Sequence, residues 1–126
     1  MKIRVGISIG LIVLALSFAF YCILRLNRAT DELRQATEAA LLAATEQSPD
    51  WLAATDEVAR LWERERGFMH ILFPHMNINE LEWSIGAMQH YQRLGDHALF
   101  IESSVRALQC LNTVREMERP TLGNIF

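Results

Sequence analysis

The sequence predicts an all-α protein in which an N-terminal transmembrane helix precedes a four-helix domain made of two helical hairpins. Three observations lead to this prediction. Residues 5–24 contain no charged side chain. The rest of the chain repeats apolar residues at helical spacing, with turn signals between the repeats. No segment shows the sustained alternation of a half-buried strand. The four helices are expected to form either a plain bundle or two stacked, tetratricopeptide-like units.

Residues 1–26 are predicted to be a membrane anchor, with the transmembrane helix over about residues 5–24. Twenty helical residues rise about 30 Å, the thickness of a bilayer's hydrocarbon core. A cleaved signal peptide is the alternative, because Lys2 and Arg4 form a basic start and residues 17–19 offer a small-x-small cleavage signal. The apolar stretch is longer than the ~7–15 residues usual in signal peptides, which favours an uncleaved anchor. The short N-terminus favours a cytoplasmic N-terminus and an external domain.

The transmembrane segment also contains a motif for helix association. Gly6 and Gly10 match the small-x-x-x-small pattern, and Ser17 lies on the same helical face. Glycine is common in membrane helices for other reasons, so the motif has low specificity. The motif therefore predicts a homodimer through this face as a further property of the anchor.

Residues 27–120 are predicted to form the helical domain and residues 121–126 a short C-terminal tail. Beyond residue 26 the chain has nine arginines, no lysine and fifteen acidic residues, a formal charge of −6. This balance argues against a nucleic-acid partner. The two cysteines, Cys22 and Cys110, lie in different parts of the chain and predict neither a disulfide nor a zinc site. Cys110 is expected to be a small buried hydrophobe.

The first two domain helices are predicted over residues 28–46 and from Pro49 to about Pro74. Ser48 is a good N-cap, and Pro49 suits the first helical turn. Asp56 and Arg60 are expected to pair at i,i+4 on an outer face that also carries Glu65. The buried seam of the second helix is predicted to contain Trp51, Thr55, Val58, Trp62, Met69 and Leu72.

The last two helices are predicted on either side of a Gly95-Asp96 turn, in which the glycine ends one helix and the aspartate caps the next. Asn77 is the expected N-cap of the third helix. The stripe Leu81, Ile85 and Met88 is expected to face the core, with Tyr91 or Leu94 extending it. The fourth helix is predicted from about His97 to Glu118, with Ile101, Val105, Leu108 and Leu111 or Asn112 on its core face. A weak internal repeat superposes Val58 on Val105 and Leu61 on Leu108.

Four histidines and three tryptophans are the candidate functional side chains. His70 and His75 lie about 140° apart around a helix, so one face cannot present both to a metal. A turn-fixing role for His75 is favoured, and a metal-dependent hydrolase using His70 or His75 is the least favoured alternative. Trp51, Trp62 and Trp83 are expected to anchor the core. No catalytic motif and no cofactor site is predicted.

Several residues together resemble a known group of proteins. These are the Asp50-Trp51 helix start, Trp62, His75, the Gly95-Asp96 turn and the ending Leu122-x-Asn124-Ile125-Phe126. The chain resembles small single-pass membrane proteins of Gram-positive bacteria, an uncharacterised domain-of-unknown-function family. The alanine-rich first helix and the lack of lysine after Lys2 depart from that pattern. The resemblance implies a location and an architecture, without a mechanism.

The leading hypothesis is a non-enzymatic, membrane-tethered helical module that binds another protein of the bacterial cell envelope. It places the chain in the cell membrane as a single-pass protein with an extracytoplasmic domain. His75, Trp83, Ile125 and Phe126 are the candidate contacts. The alternative is small-ligand binding in a groove between the hairpins, near Trp83 and His75.

Overall fold

A computed structural model describes residues 1–72 and 78–118, with their side chains through Val114. These residues form four α-helices and no strand, which confirms the all-α prediction. The first domain helix is continuous with the apolar N-terminal helix. The four elements are α1 (Lys2–Thr45), α2 (Trp51–Leu72), α3 (Ile78–Leu94) and α4 (His97–Glu118).

Helix α1 has two halves with different surroundings. Residues 2–24 bury no side chain against the rest of the protein, and this stretch is long and apolar enough to cross a membrane. From Leu26 onward one face of the helix is buried at three- and four-residue spacing, as expected for an amphipathic helix. The buried residues of this half are Leu26, Ala29, Thr30, Leu33, Thr37, Ala40, Ala43 and Ala44.

The turn between α1 and α2 uses a Schellman motif. Gln47 has a left-handed backbone (φ 53°), and the N–H of Ser48 donates to the carbonyl of Ala43 at 2.9 Å. The Ser48 hydroxyl then accepts a hydrogen bond from the N–H of Asp50 at 3.2 Å, within the turn. Helix α2 begins at Trp51, two residues after the predicted start at Pro49.

The turn between α3 and α4 follows the predicted stop and restart. Gly95 has φ 72°, and the N–H of Asp96 donates to the carbonyl of Tyr91 at 2.9 Å. The Asp96 carboxylate accepts a hydrogen bond from the N–H of Leu99 at 3.1 Å, which caps α4. The corresponding start signals of α3, Asn77 and the preceding Pro74 and His75, lie outside the described residues.

The helices form a closed ring of neighbours. In the described part of the chain, α1 packs along α2 and α4, and α3 packs along the same two helices. Across the diagonal, α2 and α4 meet through side chains at one end of the bundle, where Trp51 contacts His97 and Phe100. At most five residues separate consecutive helices, which makes consecutive helices antiparallel. The domain is therefore an up-down-up-down bundle, the plainer of the two predicted arrangements.

Helix α4 is rotated away from its predicted core face, although Leu111, one of the predicted residues, is buried. Val105 is 41% exposed, and Ile101 and Leu108 are only partly buried. The predicted helical spacing of the buried residues was right, but the predicted face was rotated around the helix axis. Small and polar residues of α4 take the core positions opposite the alanine-rich face of α1. The buried residues of α4 are Phe100, Ser103, Ser104, Ala107, Cys110, Leu111 and Val114.

The predicted internal repeat is shifted by the same error. Val58 is buried while its proposed counterpart, Val105, faces outward. The burial patterns of α2 and α4 coincide when Val58 is set against Ala107 and Thr55 against Ser104, two residues further along. The similarity is thus one of helical periodicity and does not mark two repeated units.

The predicted seam of α2 is confirmed, but its outer face is wrong in two places. Glu65 is only 7% exposed, because its spacing from Trp62 and Met69 keeps it on the buried stripe. It lies between two arginines, 3.0 Å from the Nε of Arg64 and 3.5 Å from the Nε of Arg25. On the exposed side of α2, Arg60 pairs with Glu57 at i,i+3 in place of the predicted Asp56.

Candidate binding surface on helix α3

Trp83 is the most unexpected side chain of the bundle, because 68% of it is exposed. It stands two residues from Leu81 and two from Ile85, both buried. Two residues correspond to about 200° around a helix, so the core stripe turns Trp83 outward. The prediction of a core anchor is wrong for Trp83 and confirmed for Trp51 and Trp62, which are buried in α2.

Trp83 belongs to a second apolar stripe along α3. Ala87, Tyr91 and Leu94 follow it at helical spacing, and none of the four is buried. A groove of about 540 Å³ runs beside this stripe. The described residues that line it all belong to α3, so it is a long, shallow depression and does not lie between the two hairpins. They are Asn79, Glu82, Trp83, Gly86, Ala87, His90 and Tyr91.

Gly86 forms the floor of this groove. It lies in the interior of α3, where glycine costs roughly 1 kcal/mol relative to alanine. A Cβ atom added there would meet no other atom within 4 Å. No neighbour within the described bundle therefore requires glycine at this position. Its absent side chain lets another backbone or ring approach the helix closely.

A smaller groove of about 120 Å³ continues the surface onto α4. Trp83, Ala87 and Tyr91 line both grooves. On the α4 side the wall includes Leu99, which is partly exposed, and the pair Glu102–Arg106 at 3.6 Å. We call the combined surface of the two grooves the α3 face.

Glu82 lies at the edge of the α3 face next to α2 and pairs with two side chains of that helix. Its two carboxylate oxygens lie 2.7 Å from the Nε of Arg66 and 3.2 Å from the Nε2 of His70. Both partners come from α2, so the carboxylate links the helices and is fixed at the rim. His70 also meets Trp62 edge-on, with ring centroids 6.2 Å apart.

The histidines do not assemble a metal site in the described residues. Among residues 1–72 and 78–118 there is no group of three or more His, Cys, Asp and Glu side chains able to hold a metal ion. His97 stacks on Trp51 with ring centroids 4.1 Å apart, and His90 lies beside Tyr91 at 5.5 Å.

The remaining predicted contacts are placed as follows. His75, Ile125 and Phe126 lie outside the described residues. Gly6 and Gly10 are exposed on α1, and a Cβ at either would meet nothing within 4 Å, while Ser17 is also exposed. That face of α1 is open, and the homodimer stays a prediction.

Sequence reasoning missed Gly86, His90 and Tyr91 as members of one surface. The signal was present in the spacing, since Trp83, Ala87 and Tyr91 repeat every fourth residue beside the core stripe. A single apolar stripe was predicted for α3, so the second stripe was not recognised.

No protein-family model, curated protein or solved structure matches this chain.

Proposed function

We propose that this protein is a non-enzymatic, single-pass membrane protein of the cell envelope whose extracytoplasmic bundle binds a helix of another envelope protein. The resemblance to small membrane proteins of Gram-positive bacteria supports the location. The observation that carries the binding role is Trp83 standing exposed beside the open surface of Gly86.

An amphipathic helix is the occupant that fits the α3 face best. The groove follows the axis of α3 over the thirteen residues from Asn79 to Tyr91, a rise of about 18 Å. Helices approach each other most closely over glycine and small side chains, as at Gly86 and Ala87. Exposed tryptophan beside tyrosine is typical of the centre of a protein interface.

The negative charge of the domain favours a partner helix with basic residues. The chain beyond residue 26 has a formal charge of −6, and Glu82 and Glu102 stand at opposite sides of the α3 face. Lysine or arginine flanking the partner's apolar stripe would complement this surface and speed association.

Site-specific crosslinking in intact cells tests the proposal. A photo-crosslinking benzoyl-phenylalanine replaces His90 on the α3 face, or exposed Glu63 on α2 as the reference. We expect a discrete protein adduct from position 90 only, with the crosslink mapped by mass spectrometry to an amphipathic helix of a second protein.

Two glycine variants provide the matched control. Gly86→Leu fills the groove, while Gly67→Leu adds the same side chain on α2, where a Cβ also meets nothing within 4 Å. Leucine is a better helix former than glycine, so both variants should stay folded and raise the melting temperature by a similar amount. We expect Gly86→Leu to lose the adduct and Gly67→Leu to keep it. An adduct of two copies of this chain, or no adduct, would contradict the proposal.

A small apolar ligand is the second candidate, because the groove volume of about 540 Å³ falls within the ~300–1,000 Å³ of ligand pockets. It ranks second because a wall from one helix cannot enclose the 70–90% of ligand surface that such sites bury. A ligand-panel thermal shift seen in the parent and lost in Trp83→Ala would establish it, and an unresponsive parent would eliminate it.

A further inference from the structure

The junction between the apolar half of α1 and the bundle lies at a defined depth if residues 5–24 span the membrane. The hydrocarbon core accounts for about 30 Å of a bilayer about 40–45 Å thick, so each headgroup layer is about 6 Å deep. That depth equals about four helical residues. Arg25 and Arg28 therefore lie among the headgroups, and Tyr21 lies one turn earlier, at the position of the interfacial aromatic belt.

Helix α2 brings further charges to the same depth. The Nε of Arg25 lies 3.5 Å from the Oε2 of buried Glu65, and its guanidinium carbon lies 4.2 Å above the ring centre of Phe68. Arg64 is bound by the carboxylates of both Glu32 and Glu65. The hydrogen bond that Arg64 donates to the Glu32 carboxylate raises the pKa of the Arg64 guanidinium further, so it stays charged at every relevant pH.

These residues surround a cavity of about 360 Å³. Its lower part is lined by Leu24 and Tyr21, the last residues of the apolar stretch and continuous with its exposed surface. Its upper part is lined by charged groups from both helices. The described lining residues are Tyr21, Leu24, Arg25, Arg28, Ala29, Glu32, Arg64 and Glu65.

The charges in this cavity do not balance. Three arginines face two carboxylates, which leaves a formal charge of +1. Arg25 and Arg64 share Glu65, and Arg64 also takes Glu32. Arg28 has no ion pair within the described residues, so it is the cation that supplies the excess charge.

We infer that this cavity binds the phosphodiester of an anionic phospholipid of the phosphatidylglycerol class, with Arg28 as its main phosphate ligand. A headgroup carrying one negative charge neutralises the excess of +1. The planar guanidinium presents paired donors that match two phosphate oxygens. The acyl chains lie along Leu24 and the exposed apolar side chains before it. This inference rests on the proposed membrane anchoring.

Lipid-dependent stabilisation of the full chain in mild detergent tests the inference. Phosphatidylglycerol, phosphatidylcholine or inorganic phosphate is titrated while the melting temperature is followed by circular dichroism. A ligand that binds only the folded state raises the melting temperature in a concentration-dependent way. We expect this rise with phosphatidylglycerol, and an apparent affinity about tenfold weaker in Arg28→Gln.

Arg93→Gln is the matched control, because Arg93 is another exposed arginine without an ion pair among the described residues, at the opposite end of the bundle. It should respond to the lipid as the parent does. An equal loss in both variants, an equal rise with phosphatidylcholine, a full rise with inorganic phosphate alone, or no rise at all would each overturn the inference.

Alkaline carbonate extraction separates this inference from the proposed anchoring. Release of the protein from membranes would refute the anchor itself. Protein that resists extraction but does not respond to phosphatidylglycerol would refute the lipid site alone.

Discussion

At the residue scale, Trp62 and Trp83 show how one residue type serves two purposes on adjacent helices. Trp62 is 3% exposed and packs inside the bundle, while Trp83 stands on its surface. Trp62→Ala leaves a large cavity and should lower the free energy of unfolding by about 3–5 kcal/mol. Trp83→Ala should change it by less than about 0.5 kcal/mol. Chemical denaturation of both variants in detergent measures the difference, and equal losses would place Trp83 in the core.

Cys110 gives a pH-dependent prediction. Burial, with a smaller contribution from Glu80, raises the pKa of its thiol above the ordinary value of 9.0. As the pH rises past that value, the unfolded thiol ionises first, so the unfolded state gains stability and the folded protein loses it. The parent should therefore lose stability more steeply than Cys110→Ala between about pH 8.5 and 10. Denaturation at several pH values checks this, and parallel curves would contradict a raised thiol pKa.

At the element scale, the outward rotation of Val105 determines which substitutions α4 tolerates. Ala107 is fully buried in the described structure, whereas Val105 is substantially exposed. Ala107→Leu should overpack the bundle and cost about 1–3 kcal/mol. Val105→Leu should change stability by no more than about 0.5 kcal/mol. Thermal unfolding of the two variants distinguishes the observed face of α4 from the predicted one. If the predicted face were correct, Val105→Leu would be the more destabilising of the two substitutions.

The α1–α2 turn contains a residue that is not the best choice for its backbone. Gln47 adopts the left-handed conformation that Gly95 adopts at the equivalent position of the α3–α4 turn. Replacing Gln47 by glycine removes the steric strain of a Cβ in this conformation, partly offset by greater freedom of the unfolded chain. We expect a gain of about 0.5–1 kcal/mol in the free energy of unfolding. A loss of stability would mean that the Gln47 side chain makes a stabilising contact.

These elements show what the sequence could and could not predict. The ends of the helices near Ser48 and at Gly95 and Asp96 were predictable because each depends on a few neighbouring residues. The outward position of Val105 depends on which helix lies opposite, and that information is not local. The burial of Glu65 follows from its spacing from Trp62 and Met69, but the charge of its side chain led to its placement on the outer face. The α3 face was missed for a related reason: exposed Trp83 has meaning only once Leu81 and Ile85 are known to fill the core.

At the scale of the whole molecule, the ring of four helices is complete without the apolar half of α1. No residue from 2 to 24 is fully buried, and the first buried residue of α1 is Leu26, which follows Arg25 and its ion pair with Glu65. The stability of the bundle comes mainly from its own buried apolar surface. A chain of residues 25–126 should therefore be soluble and helical, and unfold cooperatively.

The same chain shows how much the junction contributes to the bundle. Arg25→Ala within residues 25–126 leaves Glu65 buried with only Arg64 beside it, so unfolding should become easier by about 1–3 kcal/mol. Circular dichroism melts of the two chains measure this difference. If residues 25–126 aggregate or melt without cooperativity, the apolar half of α1 stabilises the bundle directly. An unaffected Arg25→Ala melt would instead show that Arg64 alone satisfies the buried carboxylate, leaving Arg25 free for the headgroup layer.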